Sequence, residues 1–363
     1  MQARSNQLVS LTGLRFFAAM AVVMYHLRLY FSPLGDSLTV FGYGFTGVSF
    51  FFILSGFVLT WSQREDVRPG AFYWNRIARI WPLHILTTVF ACWAPPLPTS
   101  SGSGWLAAPF VLSLTQAWIP ASPFLNAFNG VSWSLSCETF FYLAFPLLCK
   151  RLVSVQSVTR AIVIIPAALL VLIVSLAAVS SMVTTDYLLG TMPLYRLGEF
   201  ILGVCLARLM KEGWRAPFNA LHAIFLLGTL TVGLFVASLI TNGLAAPIPV
   251  TMANLVVMPG FLALIAACAT GDLSGKTGVL RSPALIRLGQ WSYALYLVHE
   301  LVIRVARQYL ASVSMSEAFV LAALVVLTSV SLSGLLHELL EKPAESWLRR
   351  RYSTRKSQQV QHP

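Results

Sequence analysis

Leu11-Thr-Gly-Leu-Arg15-Phe-Phe-Ala-Ala-Met-Ala-Val-Val-Met-Tyr-His26 decides the fold. The stretch is apolar enough to cross a bilayer, yet it carries a guanidinium and an imidazole eleven positions apart. On an α-helix eleven steps make three turns plus about 20°, so Arg15 and His26 share a face, ~16 Å apart along the axis. An arginine near a bilayer centre costs roughly 2.5–3.5 kcal/mol on insertion scales. A sequence carries that cost where the group faces a polar path and acts there.

The rest of the chain is of the same kind. Of 363 residues, 57% are hydrophobic and 10% charged, and the mean hydropathy is +0.73. A soluble domain carries about 25% charged residues. Runs near the ~20 residues that span a bilayer fall at roughly 11–31, 44–62, 77–94, 132–149, 161–181, 191–210, 220–241, 252–269, 291–311 and 317–340, ten in all. An eleventh, at 105–118, is short and flanked by Pro, Gly and Ser, and reads as an interfacial or re-entrant piece. The expected fold is therefore an all-α polytopic membrane protein of about ten transmembrane helices.

Loop charge orients it. With the N-terminus inside, the outer connections (32–43, 95–131, 182–190, 242–251 and 312–316) contain no Lys or Arg. The inner ones hold Arg64, Arg68, Lys150, Arg151, Arg160, Lys211, Arg215, Lys276, Arg281 and Arg287, and the tail adds Arg349, Arg350, Arg351, Arg355 and Lys356. This is the positive-inside pattern, with both termini cytoplasmic. The net charge of +12 thus reports topology rather than nucleic-acid binding, with an anionic lipid or cosubstrate at the inner face as a further use. Arg304 and Arg307 are the exception and have no reading in the sequence. The first run reads as an uncleaved span, residues 8–348 as one membrane domain, and 349–363 as a basic, disordered cytoplasmic tail. The five cysteines form no C-x-x-C pair, and no H-E-x-x-H or P-loop pattern occurs, so no metal site or bound cofactor is expected.

Depth along the spans brings polar groups to common levels. His26 lies ~22 Å above the inner end of its helix, and Glu138 ~9 Å below the outer end of its own, so in a ~30 Å core they are nearly level. A carboxylate beside an imidazole fixes its tautomer and suits it to general-base work. Arg15 lies near the inner end. Arg76 and Arg79 open the third span from that side, one turn apart on a shared face, and arginine suits bidentate phosphate contacts. The bland alternatives are an interhelical ion pair and snorkelling flanking arginines. Arg196 and Glu199, three apart, read as pairing with each other. His299 reads as a core histidine or a substrate contact. His337, Glu338 and Glu341 read as a solvated helix end. Gly47, Ser55 and Gly56 read as close-packing positions, with Ser55 a minor candidate for ligand contact.

Six motifs in order carry a resemblance that runs from about Leu8 to Leu348. They are Arg15 with His26; Phe51-Phe-x-Leu-Ser-Gly-Phe57; Asn75-Arg-x-x-Arg-Ile-x-Pro82; Trp133-Ser-Leu-Ser-x-Glu-x-x-Phe-Tyr142; Tyr293-x-Leu-Tyr-Leu-Val-His299; and Glu341-Lys-Pro343. Together they resemble the acyltransferase 3 family of integral membrane proteins. The resemblance implies O-acylation, usually O-acetylation, of a hydroxyl on a carbohydrate or other extracytoplasmic or secreted acceptor, with acetyl-CoA or another acyl-CoA as cosubstrate, at the plasma (inner) membrane. It implies His26 as the catalytic histidine, which Glu138 would orient, and Arg15, Arg76 and Arg79 as donor-binding or site residues. Trp133, Tyr142, Ser55 and His299 are possible substrate contacts. Two departures stand out: position 49 is Ser where many members carry Asp, and no soluble domain follows the tenth span. Surface polysaccharide, lipid-linked oligosaccharide, peptidoglycan and a secreted metabolite such as a macrolide all fit as acceptor. The rival from another class is a transporter or flippase with Arg15, His26 and Glu138 along its path; a membrane sensor or scaffold is a third.

Overall fold

The computed structural model describes residues 8–31, 34–35, 37–63, 69–96, 104–152, 155–179, 187–242, 250–276, 278–310 and 313–361. Arg64 and Arg68 of the first inner connection lie outside them. The described residues form helices, short 3-10 turns and loops, without a strand. In chain order the helices are α1 (Val9–Tyr30), α2 (Gly47–Ser62), α3 (Pro69–Ala91), α4 (Gly104–Leu112), α5 (Ser122–Leu125), α6 (Trp133–Arg151), α7 (Val155–Val179), α8 (Pro193–Lys211), α9 (Ala220–Asn242), α10 (Val250–Leu273), α11 (Pro283–Gln290), α12 (Ser292–Arg307), α13 (Met315–Leu336) and α14 (Lys342–Gln361).

A helix overlies each of the ten apolar runs. Among the described residues, seven helical stretches are long and apolar enough to cross a membrane: Val9–Tyr30, Thr39–Ser62, Gly130–Arg151, Tyr187–Lys211, Ala220–Ile240, Met252–Leu273 and Met315–Tyr352. Polar residues account for two of the differences. The helix α3 carries Arg76, Arg79 and His84, and α12 is only 16 residues long with Glu300, Arg304 and Arg307 in it. The weak run at 105–118 is met by α4, a helix of nine residues. At ~1.5 Å per residue that is ~14 Å, about half of what a crossing needs.

The chain divides into two compact units: Met1–Arg28, Gly35–Ser62 and Leu147–Gln290 form the first; Leu29–Leu34, Gln63–Pro146 and Trp291–Pro363 form the second. In the first unit small residues let backbones touch. A Cβ on Gly56 would overlap the Phe200 carbonyl, and one on Gly203 the Ile53 carbonyl, so α2 and α8 are in backbone contact; Gly47 meets the Ala18 carbonyl of α1 in the same way. This bears out the packing role read for Gly47 and Gly56. Close approach replaces the hydrophobic effect as the driving force where the surroundings are lipid. Leu11, Leu14, Phe50, Ile53, Phe57, Leu202, Met210 and Ile265 fill the core around these contacts.

The second unit holds the difference at the C-terminus. The tail expected to be disordered continues α14 as far as Gln361. Pro343 has no N–H and its ring crowds the carbonyl four residues back. The chain answers with a π-turn over His337–Glu341 directly before it, so the helix continues rather than stops. The continuation is held on α3: the Trp74 indole Nε1 donates to the Leu348 carbonyl at 2.8 Å, and the Trp74 and Tyr352 rings stack at 5.8 Å. On the helix surface Arg351 lies over the Trp347 ring at 4.3 Å, and Arg349 pairs with Glu345 one turn back.

Candidate active site

The N-terminus of α1 is tied down by a carboxylate. Asp272 accepts from the Ser10 amide at 2.9 Å and from its hydroxyl at 2.5 Å, and its other oxygen lies 3.5 Å from Arg281. A negative charge there satisfies first-turn N–H groups and complements the helix dipole. From this anchor the helix presents Arg15 and His26, both half-buried. His26 Nδ1 lies 3.0 Å from the Val22 carbonyl, four residues back. A carbonyl only accepts, so Nδ1 carries the hydrogen, and in the neutral ring the lone pair is on Nε2. The helix itself therefore sets the tautomer. Tyr25 packs edge-on against the imidazole at 5.3 Å and against Phe45 at the same distance. Ser55, half-buried, is one residue from the Gly56 crossing.

Elsewhere in the first unit, Arg196 and Glu199 do more than pair with each other. Arg196 Nη1 donates to Glu199 Oε1 at 2.6 Å and to Ser49 Oγ at 3.1 Å, and its Nε donates to the Gly190 carbonyl at 2.7 Å. Ser49 donates to the same Glu199 oxygen at 2.9 Å. With the Asn254 amide oriented to suit both neighbours, its nitrogen donates to Ser49 at 3.0 Å and its oxygen accepts from Arg196 Nη1 and Nη2 at 3.0 and 3.2 Å. Each of the four residues is at most 2% exposed. Ser49, left out of the site on sequence, is thus the hinge of a buried network from α2, α8 and α10.

The second unit gathers Glu138, Tyr142, Arg76 and Arg79. The Tyr142 hydroxyl, one turn along α6, donates to Glu138 Oε1. The Arg76 guanidinium lies 5.8 Å from the Tyr142 ring centroid and 5.8 Å from that of Phe72, and it feels the charges of Arg79, Arg349 and Glu138. Its Nε is buried without a hydrogen-bond partner. The charges of Glu138, Glu345 and Glu341 act on Arg79. Tyr293 of α12 donates to the Ile80 carbonyl at 2.8 Å, beside the same group. Glu341, read as a solvated helix end, is 6% exposed and takes the His337 Nδ1 at 3.0 Å; the π-turn widens the backbone and turns it inward. Its only trace in the sequence is the Glu-Lys-Pro motif.

Glu300 and Arg304 form a clamp on the start of α6. Glu300 accepts from the amides of Gly130 at 3.2 Å and Val131 at 2.9 Å, and pairs with Arg304 at 2.6 Å. Both side chains are at most 3% exposed. Arg304 is thus accounted for: it is the counter-ion of a buried carboxylate, not a loop charge. Asn129 adds a bond to the Leu297 carbonyl at 2.8 Å, and Ser134 meets the Tyr296 hydroxyl at 2.8 Å. Phe128, just before, holds φ at 57°, a conformation that costs a non-glycine residue about 1 kcal/mol or more. A Cβ on Gly130 would come within 3.0 Å of both Glu300 oxygens. Gly130→Ala is expected to lower stability by about 1–2 kcal/mol by loosening these bonds, seen as a lower Tm in detergent; an unchanged Tm would count against the clamp. His299, fully buried, has its Nδ1 3.1 Å from the Leu295 carbonyl, the same ring anchoring as His26. Trp133, half-buried, opens α6.

The acyltransferase 3 family model, described as an acyltransferase domain, matches residues 8–338. The chain belongs to the acyltransferase 3 family. Acyltransferase MdmB of Streptomyces mycarofaciens is 34% identical over 380 aligned positions, 97% of this chain and 95% of that protein. O-acetyltransferase OatA of Staphylococcus aureus is 28% identical over 158 residues, 39% of this chain and 24% of that protein. Peptidoglycan O-acetyltransferase OatA of Listeria monocytogenes is 26% identical over 153 residues, 38% of this chain and 23% of that one. No solved structure matches the chain.

In this membrane acyltransferase, Arg15, His26 and Ser55 belong to the first unit, and Arg76, Arg79, Trp133, Glu138, Tyr142 and His299 to the second. The arginine pair read as donor-binding and the carboxylate read as acid–base partner prove to be neighbours in one cluster. Tyr293 and Glu341 join them without having been singled out as site residues by the sequence.

Proposed function

We propose that this acyltransferase moves an acyl group, acetyl in the simplest case, from cytoplasmic acyl-CoA to a hydroxyl of a carbohydrate or other extracytoplasmic or secreted acceptor. The observation that carries the proposal is the His26 ring, held by the Val22 carbonyl in the tautomer that puts the basic lone pair on Nε2. Nε2 takes the proton of the acceptor hydroxyl as its oxygen attacks the thioester carbonyl. The C–O bond forms, the C–S bond breaks, and the thiolate of CoA leaves with the proton that His26 took up. A positioned base of this kind contributes about 10²–10⁴-fold. Glu138 is kept as its acid–base partner on the depth argument alone.

Arg76 and Arg79 fit the phosphates of the donor. They are planar cations one turn apart, and the orphaned Nε of Arg76 is a donor awaiting an acceptor. Arg15 serves the donor from its own helix. Trp133, Tyr142, Ser55 and His299 stand as substrate contacts. Loop charge supports ten spans in the plasma (inner) membrane with both termini cytoplasmic. Arg76→Ala and Arg79→Ala are each expected to raise the KM for acetyl-CoA about tenfold, the ~1.4 kcal/mol of one charge-assisted phosphate contact. An unchanged donor KM in initial-rate assays would leave both arginines as topological flanks only.

A further inference from the structure

The tail helix brings a third arginine to the donor cluster. Three contacts fix its place. The Leu348 carbonyl accepts from the Trp74 indole at 2.8 Å. Tyr352 stacks on that indole at 5.8 Å with ring planes 19° apart. The Tyr352 hydroxyl also lies so close to Gly70 that a Cβ there would come within 2.8 Å of it. Arg349 lies between Leu348 and Tyr352, one turn before the α-carbon that carries the stacking ring. It is therefore held against the opening turns of α3, where its charge acts on Arg76. On its own helix it is held by Glu345, four residues back, and its side chain is 40% exposed.

Bringing like charges together destabilises a fold unless an anion joins them. Arg76, Arg79 and Arg349 come together although the tail lies far from α3 in sequence. The fold meets the local cost with Glu345, Glu341 and Glu138, whose charges act on Arg79, as that of Glu138 also does on Arg76. It leaves Arg349 accessible to solute and Arg76 Nε without an acceptor. Nothing about the core requires this: the docking of the tail rests on Trp74, Leu348 and Tyr352, which are uncharged. A part-exposed cation docked by uncharged contacts beside Arg76, whose Nε has no acceptor, offers hydrogen bonds to an incoming anion, and guanidinium groups match phosphate oxygens in pairs.

We propose that Arg349 of the tail helix completes, with Arg76 and Arg79, a binding site for the phosphate groups at the nucleotide end of the acyl-CoA donor. The proposal rests on the acyl-CoA reading above. The π-turn before Pro343 is then functional as well as structural, because it aims the helix that delivers Arg349. Glu345 holds the guanidinium in place while the site is empty and gives way when phosphate arrives.

The test uses the full-length protein in membranes and two donors, acetyl-CoA and acetyl-pantetheine, which carries the same thioester and no phosphate. Arg349→Gln is expected to raise the KM for acetyl-CoA about tenfold, the loss of one such contact, and to shift the KM for acetyl-pantetheine less than twofold. Arg349→Lys is expected to recover most of the loss, since a point cation still serves phosphate. Adenosine 3′,5′-bisphosphate is expected to inhibit the parent protein and to inhibit Arg349→Gln less. Equal shifts for both donors, or none, would overturn the proposal. So would a loss that tracks the anionic-lipid content of reconstituted vesicles rather than the donor, which would make Arg349 a lipid-headgroup contact. If the parent protein turns over neither donor, it is the acyl-CoA reading that fails.

Discussion

His26→Ala is expected to lower acyl transfer by at least about 10³-fold, within the 10²–10⁴ range of a lost general base plus its orientation, while the protein inserts at its usual level. The two halves of that expectation have separate causes. The activity loss follows from removing the nitrogen that accepts the hydroxyl proton. The intact fold follows from where the imidazole sits: half-buried on α1, its ring hydrogen bond made to a carbonyl of its own helix. That carbonyl already serves the helix ladder, so it keeps a partner when the side chain is lost. Acetyl transfer by membranes containing the variant, with immunoblotting of the membrane fraction, checks both halves. Transfer within threefold of the parent would remove His26 from the chemistry.

Glu199→Ala is expected to have the largest effect on stability. Arg196 is 2% exposed and Glu199 is 1% exposed, and the two meet at 2.6 Å. Removing the carboxylate takes the Glu199 counter-charge from a buried guanidinium that Ser49, Asn254 and the Gly190 carbonyl bond. Breaking a buried pair in this way costs about 3–5 kcal/mol, a Tm drop of about 10 °C in detergent. Replacing both charges, as Arg196→Met with Glu199→Leu, is expected to recover most of it, since an apolar pair of similar volume removes the uncompensated ion. If the double variant is no more stable than Glu199→Ala, the network is not held by charge balance.

The helices were legible in the sequence because apolar runs of bilayer length have one structural outcome, and α1, α2 and α8 to α10 lie where the runs do. Close packing at Gly47 and Gly56 was legible because small residues on a membrane helix have few other uses. The hidden features share a physical origin. Arg304 and Glu300 look like misplaced charges until the loop amides of Gly130 and Val131 are seen to bond the carboxylate, a contact across 169 residues. Ser49 and Asn254 are small polar side chains whose role exists only where three helices meet. Glu341 faces inward because a π-turn shifts its bearing, which a period of 3.6 does not anticipate. The tail reads as disordered by its charge, but its aromatic residues dock it: Tyr352 on Trp74 is a contact that no local pattern announces. The hold of the Val22 carbonyl on the His26 ring is a contact within one helix turn that the sequence does not announce. Arg76 and Arg79 on one face were visible as a pair, while their grouping with Glu138 and Tyr142 needed the packing of α3 against α6, to which the stack of Phe72 on Phe145 at 5.4 Å contributes.

The central claim is that the protein transfers an acyl group from a thioester to a hydroxyl. The most direct measurement uses sealed inside-out membrane vesicles from the producing cell, carrying their own acceptor, supplied with acetyl-CoA labelled in the acetyl group. The account predicts alkali-labile O-acetyl label in the acceptor fraction, one CoA thiol released per acetyl transferred, and neither in vesicles carrying His26→Ala. Label that enters the lumen or the acceptor fraction without thiol release, or thiol release that survives His26→Ala, would contradict it.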